Sequence, residues 1–366
     1  MDFVSAPTAW LWIAAILVGE WGHFFAILCL LLFALSVWCG GRMPIVAAVL
    51  SFAAAIAFLT PAVRAAIIAR SLQVRFDAAF AEAHLPTVAA SPFSWRRLFC
   101  GTRLPPVDVT EYTYAPDGTK QLKLDVYQPH GRGVARPLVV IIHGGSWKGG
   151  DKSQLEPFTR YLAACGYAVA SMNYRHAPKN RFPAAVDDVF SALEFLKMHA
   201  TELQLDMTRV VLVGRSAGGQ IALSAAYARR DPVICGVIAF YAPTDLVFGY
   251  EKPSRRGVLD SRRLLEDYLG GSPAQNPEVY AAASPLRSVR PATPPTLLIQ
   301  GALDPIVSPH HSELLQQALN NAQRPHLYLV LPWATHGFDA NLSGPSGQLS
   351  SYLSEKFLAA VCARHE

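Results

Sequence analysis

The chain has 366 residues, of which 51% are hydrophobic and 16% charged, and a formal net charge of +5. Soluble domains average about a quarter charged residues, so a wholly water-facing protein is disfavoured. The positive charge is scattered, with no Lys/Arg block of the kind that holds nucleic acid, and the six cysteines (Cys29, Cys39, Cys100, Cys165, Cys235 and Cys362) form no CxxC pair and no regular spacing. They read as small buried hydrophobes, not as a disulfide framework.

The apolar excess lies at the amino end. Trp10 to Trp38 is apolar apart from a few positions, notably Glu20 and His23, and after "GGRMP" a second run, Ile45 to Val63, carries no charge. A bilayer core is crossed by about 20 apolar residues, and two long runs after an acidic start do not fit a signal peptide. Residues 1–63 are therefore expected to form a membrane anchor, with Trp10, Trp12, Trp21 and Trp38 at the interfaces. Two spans joined by a tight turn are the simplest topology; a turn at "GEWGH" would make three. Glu20 and His23 are read as interfacial. Residues 64–108 begin with an amphipathic helix, "RAAIIARSLQVRFDAAFAEAHLP", a candidate lid, and continue into the linker "SPFSWRRLFCGTRLPP". The connecting turn carries only Arg42, whereas Arg64, Arg70 and Arg75 follow the second run. Basic residues near a span tend to stay in the cytoplasm, so the remainder of the chain is expected to face the cytoplasm, with the amino terminus on the same side for two spans.

From residue 109 to the carboxyl end the texture is α/β. Alternation in "TEYTYAPDG" and "QLKLDVYQP" predicts an antiparallel hairpin turning at Asp117-Gly118. The unbroken apolar runs "PLVVIIHGG", "YAVASMNY", "VVLVGRS", "GVIAFYAP", "PTLLIQG" and "HLYLVLP" predict buried parallel strands. Helical stretches such as "PAAVDDVFSALEFLKMHA" and "GGQIALSAAYARR" fall between most of them, which implies a mostly parallel sheet flanked by helices. The insertion from Leu246 to Pro285 lacks a strand pattern and is a second candidate lid.

Ser216 stands in "GRSAGG", between a strand and a helix. Ligands of parallel α/β sheets bind where strands end and helices begin. Gly214 and Gly218 allow the sharp turn that lifts a serine oxygen above the sheet. A hydroxyl near neutral pH needs a base, and the base needs orienting. His336, in "WATHGF" after the last strand, is the expected base. Its partner is expected at another strand end, where Asp304 is favoured and Asp245, in "YAPTDL", is the alternative; Asp339 is too close to His336 in sequence. His310 and His311 open a polar helix and are expected to be solvated. In "IIHGGSW", glycines after a buried strand leave N–H groups free to hold a developing oxyanion. Gly145, Ser146 and Ala217 are assigned as donors, with Gly144 giving room. Tyr174, Arg175 and Asp187 are expected to brace the neighbouring loop, and Arg215 to tie down loops beside the serine.

In order, "LDVYQP", "HGGSWKGGDKS", "NYRHAPKNRFPAAVDDV", "GRSAGG", "APTDL", "GALDPIVS" and "THGF" resemble the α/β-hydrolase fold, and within it esterases similar to hormone-sensitive lipase and to the bacterial feruloyl-esterase-like (BD-FAE) group. The resemblance covers about residue 109 to the end. It implies Ser216 as nucleophile, His336 as base, Asp304 as its partner and the "HGGS" turn as oxyanion hole; Ser146 stands where many relatives have a third glycine. The expected protein is a membrane-anchored serine hydrolase of small carboxylic esters, working through an acyl-enzyme with no metal or organic cofactor. An arylformamidase or other amidase, or an acyl transferase, would use the same residues. A catalytically silent binding protein on this fold is the reading from another class.

Overall fold

The computed structural model describes residues 5–80, 91–117, 120–131, 133–229 and 231–363. Gly118 of the expected hairpin turn and residues 81–86, the end of the expected amphipathic helix, lie outside them. Helix α1, Ala9–Cys39, is capped by Thr8 and ends at Gly40 and Gly41, both at positive φ. Such angles suit glycine, and the chain reverses there into α2, Arg42–Ala79. The helices pack antiparallel, with Phe25 on Phe58 and Phe33 on Phe52, each at 5.5 Å between ring centroids. Gly22 permits the close approach: a Cβ there would lie 2.6 Å from the Phe58 carbonyl oxygen. Both helices are long and apolar enough to cross a membrane.

Helix α1 is unbroken through "GEWGH", so there are two long apolar helices and not three segments. Glu20 and His23 are buried on the body of the protein. Glu20 Oε2 accepts from the Ser346 N–H (3.2 Å) at the start of the last helix. A boundary between residues 63 and 64 divides one continuous helix. Leu72, Phe76 and Phe80, four residues apart, are all buried in the core of the main body.

The remaining elements are α3 Trp95–Cys100, β1 Val107–Asp117, β2 Lys120–Pro129, β3 Arg136–Ile142, α4 Glu156–Ala164, β4 Ala168–Met172, α5 Ala184–Met198, β5 Leu205–Arg215, α6 Ala217–Ala228 and β6 Ile234–Phe240, then α7 Leu246–Glu251, α8 Ser261–Leu269, α9 Pro277–Ala283, β7 Thr296–Gly301, α10 His310–Asn321, β8 His326–Leu331 and α11 Pro345–Val361. The strands form one sheet in the order β1-β2-β4-β3-β5-β6-β7-β8. The β1–β2 and β2–β4 pairs are antiparallel, and every other pair is parallel.

Alternation sorts each central strand between two cores. Leu138, Val140, Ile142 and Leu212 face α5, α6 and α10 through Val189, Ile221 and Leu315. Val139, Ile141, Val211 and Val213 face α4, α11 and the end of α2 through Phe158, Phe357 and Phe76. Lys356 on Asp77 (3.3 Å) and Arg75 on the Tyr328 carbonyl (3.1 Å) fasten the end of α2 to α11 and β8. Residues 64–79 therefore lie against the sheet layer and not over the cleft described below. The stretch read as a linker holds α3, with Phe93 and Leu98 buried and the Ser94 N–H donating to Gln348 Oε1 (2.8 Å). The six cysteines are free thiols, and Cys39 and Cys100 are exposed, contrary to the buried reading.

Candidate active site

Ser216 occupies the corner between β5 and α6 with φ 54° and ψ −123°, a backbone region that costs a non-glycine residue roughly 1–3 kcal/mol. The surroundings hold it there. The Ser216 N–H donates to the Phe240 carbonyl (2.9 Å), and the glycines on either side are required by space. A Cβ on Gly214 would lie 2.2 Å from the Gly218 carbonyl oxygen; one on Gly218 would lie 2.2 Å from that of Ile142 and 2.3 Å from that of His143. The serine corner is thus pressed onto the end of β3, from which "HGGSW" departs.

His336 Nε2 lies 3.0 Å from Ser216 Oγ, and His336 Nδ1 lies 2.7 Å from Asp304 Oδ2. Asp304 and His336 are buried. The second carboxylate oxygen of Asp304 accepts from the N–H groups of Ile306 (2.8 Å) and Val307 (2.9 Å), while Gln300 Nε2 donates to Oδ2 (3.1 Å). Asp245 is elsewhere: it caps α7, accepting from Val247 (3.0 Å) and Phe248 (3.2 Å). Asp339 forms an ion pair with Arg215 and accepts from the Tyr241 hydroxyl (2.6 Å), whose ring lies 4.4 Å from the imidazole of His336. Burial, reinforced by the Asp339 charge, raises the Tyr241 phenol well above its usual range, so it remains a donor.

On the other side of the serine, Gly145 has φ +124° and Ser146 φ 55°. The Gly144 N–H donates to Gln154 Oε1 (2.9 Å). A Cβ on Gly144 would lie 3.1 Å from the Arg215 carbonyl oxygen, so this residue gives room beside the serine. The N–H groups of Gly145, Ser146 and Ala217 have no hydrogen-bond partner among the described residues. His143 is stacked on Tyr174 (4.4 Å), and Nδ1 is 2.6 Å from the Gly144 carbonyl oxygen. Burial holds its pKa down at about 4, although the carbonyl contact opposes the shift, so the ring is neutral near pH 7.

Tyr174 donates to the His143 carbonyl (3.1 Å). Arg175 pairs with Asp188, through Nε at 2.8 Å and its backbone N–H at 2.7 Å; Asp187 instead pairs with Arg229 at the surface. The loop brace is therefore Asp188, because α5 turns the next position inward. His311 is buried, not solvated. Its Nδ1 accepts from Thr244 (3.2 Å) and Asp245 (3.3 Å), and burial lowers its pKa to about 3. A cleft opens at Ser216, walled by Leu246, Leu259 and Leu265 of the insertion and by Val307 and His311. The insertion thus borders the site. Sequence reasoning missed Gln154, Asp188 and Tyr241, for which the sequence offers no local signal, and also the contact of Trp12 with the His336 loop.

Known proteins agree with this architecture. Among curated relatives, the probable carboxylic ester hydrolase LipM of Mycobacterium tuberculosis (strain ATCC 25618 / H37Rv) is 29% identical over 249 residues, covering 62% of this chain and 55% of the relative. The esterase LipQ of the same strain is 26% identical over 266 residues, covering 70% and 63%. The chain thus spans a little over half the length of these relatives. Of the solved structures, a bacterial heroin esterase superposes with a TM-score of 0.62 at 24% identity, over 70% of this chain and 85% of that one. A Pyrobaculum calidifontis esterase gives 0.60 at 24% identity, over 70% and 88%. At such identities the likeness speaks to the fold, which is that of the α/β hydrolases. The BD-FAE family model matches residues 124–319, more than half of the sequence, and the chain belongs to the BD-FAE family.

Proposed function

We propose that the protein is a serine hydrolase of carboxylic esters, held at a membrane by α1 and α2. The observation that carries this reading is the unbroken line from Asp304 through His336 to Ser216, with unpaired backbone N–H groups beside the serine oxygen. In this reading Ser216 Oγ attacks the ester carbonyl while His336 Nε2 takes its proton. Asp304 holds the Nδ1–H tautomer and stabilises the imidazolium. Gly145, Ser146 and Ala217 donate to the tetrahedral oxygen, an interaction typically worth about 2.7–4 kcal/mol per donor at the transition state. Collapse expels the alcohol, which receives the proton from His336. Water, activated by the same imidazole, then releases the acid. The curated relatives named as ester hydrolases support this substrate class.

Anchoring is supported by the apolar faces of α1 and α2, on which Leu31, Trp38 and Leu50 are exposed. For the side of the membrane, we infer a cytoplasmic domain from Arg64, Arg70 and Arg75 after the second apolar run against Arg42 in the turn. The start of α1 lies against the catalytic body, as a two-helix crossing requires: Ala9 N–H donates to the Gly257 carbonyl (3.1 Å).

A fluorophosphonate probe and a series of p-nitrophenyl esters of rising chain length test the chemistry. Wild type should be labelled and should hydrolyse at least one ester, and Ser216→Ala should do neither while remaining folded. A Ser216→Ala variant with near-parental turnover would refute the mechanism. Preference for formyl-kynurenine over every ester would move the assignment to an arylformamidase. Alkaline phosphatase activity fused after the last residue, without fluorescence from a green fluorescent protein fusion, would place the domain outside.

A further inference from the structure

We propose that the anchor is a working part of the active site, with Trp12 the positioning residue for His336. This rests on the esterase reading above. The indole N–H of Trp12 donates to the main-chain carbonyl of His336 at 2.8 Å, across 324 residues of sequence. Its ring centroid is 6.4 Å from that of the imidazole.

The contact belongs to a continuous strip. Ala9 N–H donates to the Gly257 carbonyl of the insertion. Ile16 Cδ1 lies 3.6 Å from where a Cβ on Gly337 would stand. The Glu20 carbonyl accepts from Asn341 Nδ2 (3.1 Å), and its Oε2 accepts from Ser346. Positions 9, 12, 16 and 20 share one face of a helix. That face follows the loop carrying His336 from the rim of the cleft to the start of α11.

The loop needs such a support. The two ring nitrogens of His336 are committed to Asp304 and Ser216, so they fix the ring only as well as the backbone behind them is fixed. The His336 carbonyl accepts no other hydrogen bond among the described residues. The next residue, Gly337, has φ +78°, an angle that glycine enters and leaves without a side-chain penalty. Trp12 does not line the cleft, so its effect falls on the chemical step and not on substrate binding.

The test uses the full chain in detergent or nanodiscs, with active sites counted by fluorophosphonate titration. Trp12→Phe should lower kcat per titrated site by about 10-fold, within what misplacement of a catalytic group by a fraction of an ångström costs, and leave KM within about twofold. Trp10→Phe, on the exposed face of the same helix, should match wild type. A merely structural role would reduce the number of titratable sites and the Tm with kcat per site unchanged, and that result overturns the proposal. Should Trp12→Phe not accumulate, Gly257→Ala disturbs the same seat, since its Cβ would lie 2.8 Å from the Pro7 carbonyl oxygen. It should lower kcat per site, and parental kcat there also overturns the proposal. A wild type that takes no label sinks the esterase reading itself; a labelled wild type with an unaffected Trp12→Phe sinks only the role of Trp12.

Discussion

Replacing Asp304 by Asn tests the role of the carboxylate with little change of volume. One oxygen of Asp304 accepts from the N–H groups of Ile306 and Val307, and the other faces His336 Nδ1 and Gln300 Nε2. An asparagine has one acceptor oxygen. Two backbone donors claim it, which turns the amide NH2 towards His336 and favours the tautomer with its proton on Nε2. That imidazole cannot take the proton of Ser216. The expected loss in kcat is about 10⁴-fold, or roughly 5.4 kcal/mol at the transition state. Asp245→Asn keeps a side chain that caps α7 comparably well and should cost less than about 1 kcal/mol of stability, with kcat within a few-fold. Initial rates on a p-nitrophenyl ester, normalised to folded protein by circular dichroism, compare the two. A larger loss for Asp245→Asn than for Asp304→Asn would refute the assignment.

Gly218→Ala should destabilise by about 1–3 kcal/mol and abolish labelling, because its Cβ meets backbone atoms of Ile142 and His143 that lead directly into the Gly144–Ser146 turn; parental labelling and Tm would contradict the packing. His311 is held neutral by burial with a pKa near 3, below its ordinary value, so the unfolded chain takes up the proton first. The associated stability is complete above pH 6.5 and declines as pH falls towards 3, by about 2 kcal/mol at pH 5. Denaturant titrations at pH 7 and pH 5 should show a smaller difference for His311→Gln than for wild type, and equal differences would remove His311 from the account. Gly22→Leu should part α1 from α2, since a Cβ would lie 2.6 Å from the Phe58 carbonyl oxygen. Cysteines introduced at Phe33 and Phe52 should cross-link in the parent and not in that variant.

The sequence was most legible where the determinants are local. A glycine two residues to either side of Ser216, after an apolar strand, is a nearest-neighbour demand, and it indicated the corner and its geometry. Strand ends likewise pointed to Asp304 and His336. What was misread depends on rotation or distant contact. Asp187 and Asp188 differ by one step of a helix, about 100°, and only packing shows which faces Arg175. His311 opens a helix of low apolar content, yet that turn lies under Thr244 and Asp245. Hydropathy falls at residue 64 although α2 continues, because its face changes partner from α1 to the sheet layer. Trp12 has the composition signal of an interfacial tryptophan, and its contact with the His336 loop is set by tertiary structure alone.

The reach of the paired helices has a consequence for how substrate is met. Beyond His23, which is buried against Phe99, residues 24–39 of α1 extend about 24 Å at 1.5 Å per residue, against a hydrocarbon core of about 30 Å. In a bilayer such a keel leaves no slack between lipid and enzyme. The exposed Trp95 and Phe99 at its base would be drawn into the headgroup layer, as interfacial aromatics are. An enzyme anchored as proposed would have a draught, a fixed depth at which its cleft rides, and would not swing on a stalk. On the membrane-held esterase reading proposed above, its search for esters would become one in two dimensions, in which the amount of substrate per unit of membrane area, more than its concentration in bulk water, would set the rate.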